Sequence, residues 1–186
     1  MVAITSLWLP IVVSAVIVFV VSSIIHMVLP YHRSDFGRIP AEDEVMDALR
    51  RFEIPPGEYV IPWAAGPEEI RKEEYLEKTR KGPVAFVTVV PNGLPAVGGS
   101  LLAWFAYSIV VGLFAGYVAG LVLPPGADYR TVFRLTGCTA FAGYALALLQ
   151  NSIWYKRAWS TTLKLIFDGL LYALLTAGTF GWLWPS

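Results

Sequence analysis

Four long runs with almost no ionic side chain dominate this sequence and restrict what it can fold into. Residues 5–29 and 97–123 contain no Asp, Glu, Lys or Arg; 131–149 contains only Arg134, and 159–183 only Lys164 and Asp168. A helix needs about 20 mainly apolar residues to cross a bilayer, at ~1.5 Å of rise each. Helices of a water-soluble bundle carry a polar face along their length, and these runs do not. Only 15% of the 186 residues are charged, against about a quarter in soluble domains, so the remainder cannot build a polar shell around four such helices. The expected fold is an all-α integral membrane protein. Its four transmembrane helices lie at 5–29, 97–123, 131–149 and 159–183, with a small α+β insertion over 31–96 between the first two.

The first run does not read as a secretory signal. No basic residue precedes it, it exceeds the usual h-region of about 7–15 residues, and Met27, Val28, Leu29 and Pro30 follow it in place of a small-residue cleavage motif. Lys and Arg near helix ends set orientation. Arg33, Arg38, Lys78, Arg80, Lys81, Lys156 and Arg157 fall on one side, and only Arg130 and Arg134 on the other. The expected location is a bacterial inner membrane, with both termini periplasmic and 31–96 cytoplasmic. Two belts of aromatic residues agree: Trp8, Tyr129, Trp182 and Trp184 outside, Trp104, Trp154, Tyr155 and Trp159 inside.

In the insertion, Pro40 followed by Glu42, Asp43 and Glu44 reads as a helix start, and Arg50 and Arg51 suit its last turn. A short extended piece at 58–62, a second helix at 67–81 and a strand at 84–90 follow, the last two on charge pattern and β-branched content. The Glu/Lys run of the second helix is most simply a solvated face. Some 60 residues are marginal for independent folding, so the segment is expected to pack on the membrane face or on a partner. Twelve acids against nine bases make it a poor ligand for anionic lipid. Zero net charge across the chain likewise gives no footprint for nucleic acid.

Small residues recur every fourth position in three of the spans: Ser108, Gly112, Gly116 and Gly120; Thr139, Gly143 and Ala147; Gly169, Ala173, Ala177 and Gly181. Lipid gives little hydrophobic drive for helix association, so close contact along such stripes must supply it. Packing within one chain and packing between chains, in a homo-oligomer or with other membrane subunits, both fit.

Asp168 is the residue whose position most demands an explanation. It lies nine residues from Trp159, and a carboxylate at such depth costs ~2.5–3.5 kcal/mol on insertion scales. Lys164 is one turn away, close enough to pair. With His26, Gln150 and Asn151 at the same end, a polar cluster of His26, Gln150, Asn151, Lys164 and Asp168 is expected. Two roles fit it: an interhelical hydrogen-bond lock, or a proton or small-ligand site. His26, His32 and Asp35 match no recognised metal-ligand spacing, and zinc would need further donors; haem held by the two histidines is disfavoured by Pro30 between them. Neither a metal nor a cofactor is expected. Cys138 is the one cysteine, which excludes an intrachain disulfide, and no phosphate loop, HExxH, GxSxG or CxxC is present. No catalytic residue is therefore assigned.

The stretch from Ser22 through His26, Pro30 and His32 to Asp35, the run Pro56, Gly57, Glu58, Tyr59, and the closing stretch from Asp168 to Pro185 together resemble a group of short bacterial four-helix membrane proteins labelled only as hypothetical. The resemblance covers nearly the whole chain and implies a bacterial inner-membrane setting, with no activity and no site residue. The function expected is that of a non-catalytic accessory or structural subunit of a larger inner-membrane complex, a respiratory or photosynthetic one being a natural host. The alternative is a small proton-coupled transporter using Asp168 and Lys164. A membrane-embedded enzyme would have to rely on His26 and His32, for which no third member is identifiable.

Overall fold

The structure, a computed structural model, describes residues 1–94 and 96–186. It divides into two compact units, one formed by Met1–Phe36 with Ala96–Ser186 and the other beginning at Gly37.

The first unit is a helix bundle. Helix α1 (Trp8–Ser23) is preceded by a 3-10 turn, Ile4–Leu7, and continued by a π turn, Ile24–Val28. In the second unit α2 (Glu42–Arg50), β1 (Gly57–Ile61), α3 (Pro67–Ile70), α4 (Glu73–Lys81) and β2 (Ala85–Val89) follow. The bundle resumes with α5 (Val97–Val122), α6 (Tyr129–Tyr144), a short α7 (Leu149–Ile153) and α8 (Trp159–Trp182). Four stretches are long and apolar enough to cross a membrane: Ile4–Val28, Val97–Val122, Tyr129–Ile153 and Trp159–Trp182. Around the bundle α1 lies against α5 and α8, and α6 against α5 and α8. Large apolar side chains such as Val12, Val16, Val20, Phe114 and Phe167 remain exposed on its outside. Water would penalise such a surface and hydrocarbon would not.

Small residues allow this packing. A Cβ on Gly120 would fall 2.6 Å from the carbonyl oxygen of Val2, and one on Gly169 2.9 Å from the Ala145 Cβ. Gly116 likewise faces Phe180 and Leu7, and Gly181 the Tyr129 ring. The stripes of α5 and α8 are thus occupied within the chain. The expected stripe on the third span has a different phase. Its deeply buried face runs Val132, Thr136, Ala140 and Tyr144, while Thr139 is half-buried and Ala147 is exposed. That span is also not one helix: α6 ends at Tyr144, where α8 approaches through Gly169, and a 3-10 turn, Leu146–Leu148, leads into α7. Asp128 caps α6, accepting from the backbone N–H groups of Arg130 and Thr131 at 3.1 Å each. Hydroxyls buried in the bundle bond back to carbonyls of their own helices, as Ser14 does to Ile11 and Thr136 to Val132.

In the second unit β1 and β2 pair antiparallel, with Gly57 opposite Val89 and Ile61 opposite Ala85. The helix expected over 67–81 is interrupted between Ile70 and Glu73, and the Glu/Lys face of α4 is solvated, with Lys78 bonded to Glu74 at 2.7 Å and Arg80 to Glu73 at 2.6 Å. None of residues 37–94 is buried. The boundary also differs from the expected start at 31: residues 31–36 belong to the bundle.

Candidate functional site

Pro30 brings those residues back. Its missing N–H ends the π turn, and Leu29 before it is extended (φ −77°, ψ 138°). The chain then winds into a 3-10 turn, Pro30–Ser34. Residues three apart eclipse one another in such a turn, which places His32 beside Asp35 and Tyr31 beside Ser34. On α8, Lys164 and Asp168 are four apart and share a face. The two pairs meet.

Asp168, 1% exposed, lies at the centre. One carboxylate oxygen accepts a hydrogen bond from the Tyr31 hydroxyl, and the other lies 2.8 Å from His32 Nε2. His32 Nδ1 lies 2.6 Å from Asp35 Oδ2. Lys164 Nζ donates to Asp35 Oδ1 at 2.9 Å, to Ser34 Oγ at 2.8 Å and to the Tyr31 carbonyl at 2.7 Å. Both His32 nitrogens therefore face carboxylate oxygens, and each contact requires one proton. With His32 as imidazolium the group is neutral: two carboxylates, one imidazolium and one ammonium. Burial pushes the Asp35 carboxyl up, but the hydrogen bonds from His32 and Lys164 outweigh it and hold the group below its ordinary range.

His26 joins from the π turn. Its ring centre is 4.3 Å from that of His32, with 30° between the planes, and its Nε2 lies 3.4 Å from the Tyr172 hydroxyl. Ligand atoms of His26, His32 and Asp168 all fall within 4.8 Å of one another. His26, Asp168 and Tyr172 line a pocket of about 570 Å³ whose walls include Ser22, Trp104, Tyr107 and Tyr144. The aromatic wall is fixed by hydrogen bonds from Trp104 Nε1 to Ser22 Oγ (2.8 Å) and from the Tyr107 hydroxyl to the Gly143 carbonyl (2.6 Å). The pocket is thus largely apolar, with His26 and Asp168 among its polar lining residues.

Three of the five residues expected to cluster, His26, Lys164 and Asp168, meet here, though Lys164 bonds to Asp35 and the turn and not to Asp168. Gln150 is exposed and Asn151 half-buried, and neither side chain bonds to the cluster; the buried polar neighbour is Ser152, whose hydroxyl donates to Thr162 Oγ1 at 2.8 Å. Tyr31, His32, Ser34 and Asp35 belong to the segment expected outside the spans; the His-x-x-Asp spacing after Pro30 signals the local pair of His32 and Asp35 but not its contact with α8. His26 and His32, expected to be kept apart by Pro30, stack because of the turn Pro30 starts. Comparison with protein-family models, with curated proteins and with solved structures finds no match to this chain.

Proposed function

We propose that this chain is a non-catalytic, multi-pass subunit of a larger bacterial inner-membrane assembly, with both termini periplasmic and the unit after Phe36 cytoplasmic. The observation that carries this reading is that none of residues 37–94 is buried while Phe52, Trp63 and Ile70 are exposed. A two-stranded sheet with short helices has little independent stability, and a protein partner that covers those side chains supplies the missing core. The orientation rests on the excess of Lys and Arg around 33–38, 78–81 and 156–157. Because the stripes of α5 and α8 are occupied inside the bundle, the cytoplasmic unit and not the spans is the surface assigned to the partner.

A second reading, a small proton-coupled transporter, is favoured by the pocket that reaches Asp168 and by the unbroken series from Asp168 through His32 and Asp35 to Lys164. Purification from native membranes in mild detergent separates the two. The subunit reading predicts stoichiometric co-purifying proteins that are lost in the Phe52→Asp, Trp63→Asp double variant. A free monomer that moves protons across liposomes would contradict it and support transport.

A further inference from the structure

We propose that His26, His32 and Asp168 bind one divalent transition-metal ion of the zinc class, with its open coordination position facing the aromatic pocket. The inference does not depend on the assignment of partner or transport. Two imidazoles and one carboxylate form a donor set suited to Zn(II), Co(II) or Fe(II) and poorly suited to Mg(II) or Ca(II). The three come from separate places in the chain, the π turn, the 3-10 turn and α8, and converge within 4.8 Å. Bonds of ~2.0–2.1 Å in tetrahedral array separate ligand atoms by about 3.3 Å. His32 Nε2 and Asp168 Oδ2, now 2.8 Å apart, need to part by only a fraction of an ångström.

The surroundings match what a metal ligand requires of its own supports. A ligating histidine commonly gives its other ring N–H to a carboxylate, which orients the ring and raises its basicity. Asp35 does this for His32 Nδ1 at 2.6 Å, and Lys164 fixes Asp35 in turn. Tyr31 holds the second oxygen of Asp168. A purely structural lock between the turn and α8 would explain Tyr31, His32, Asp35 and Lys164. It has no use for His26, whose one hydrogen-bond contact among the described residues is the long approach to Tyr172. Metal binding displaces the proton shared by His32 Nε2 and Asp168 Oδ2 to solvent. The site then gains one positive charge, which favours an anionic fourth ligand, such as hydroxide, from the pocket side.

The test uses the full-length protein in detergent, in a Cys138→Ser background, stripped with chelator and confirmed as folded by a cooperative melt. Titrated with Co(II) and then Zn(II), it is expected to bind one ion per chain, with visible d–d bands of a four-coordinate Co(II) site that Zn(II) abolishes. His26→Ala lies outside the lock and should fold; it is expected to weaken Zn(II) binding at least tenfold, and Asp35→Ala about 10–100-fold. Failure of folded protein to bind either ion stoichiometrically overturns the proposal. So does binding that His26→Ala leaves unchanged.

Discussion

At the scale of single residues, the account turns on how Asp168 can be buried. A lone carboxylate in hydrocarbon is costly, and here it is balanced by Tyr31 and His32, 137 and 136 residues away in sequence. Replacing Asp168 by Ala strands His32 beside Asp35 and should cost about 3–5 kcal/mol, the range for breaking a buried charged pair. Asp168→Asn keeps an acceptor for Tyr31 and should cost less. In a double-mutant cycle of His32→Ala and Asp168→Ala, read by unfolding in detergent, coupling should exceed about 1 kcal/mol; additivity within ~0.5 kcal/mol would show that the contact contributes nothing. His26, Lys164 and Asp168 were legible in the sequence because polar groups in apolar runs stand out. Tyr31, His32 and Asp35 were not, because Pro30 announces that a helix ends without saying which way the chain goes next.

At the scale of elements, the four apolar spans and the two short extended segments follow from pattern alone, since hydrophobic length and β-branched content act locally. The interruptions do not. The break after Tyr144 coincides with the close approach of Gly169, a contact between spans that no local pattern encodes. The same applies to the phase of the third span, where Thr136 and Ala140 are buried in place of Thr139 and Ala147. Close approach also makes some glycines far less replaceable than others. Gly169→Leu, whose first carbon already meets Ala145 at 2.9 Å, should destabilise the bundle by about 1–3 kcal/mol as overpacking. Gly112→Ala, whose Cβ would sit 3.4 Å from Ser14 Oγ, an ordinary contact, should be tolerated. Equal thermal stabilities of the two variants would contradict the packing described for α8.

At the scale of the whole molecule, the chain divides into a helix bundle and a second, largely exposed unit. The bundle holds 1–36 and 96–186, and the second unit, with no buried residue among those described at 37–94, is the part whose stability should depend on what covers it. The proposed topology of four crossings would place both termini on one side of the membrane, and residues 37–94 with the Lys156 turn on the other. Single-cysteine labelling in sealed vesicles, in the Cys138→Ser background, tests this most directly. Cysteines at Glu77 and Lys156 should react with a membrane-impermeant maleimide from one face only, and a cysteine at Ala127 from the opposite face only. Reaction of Glu77→Cys and Lys156→Cys from opposite faces, or of all three from the same face, would contradict it.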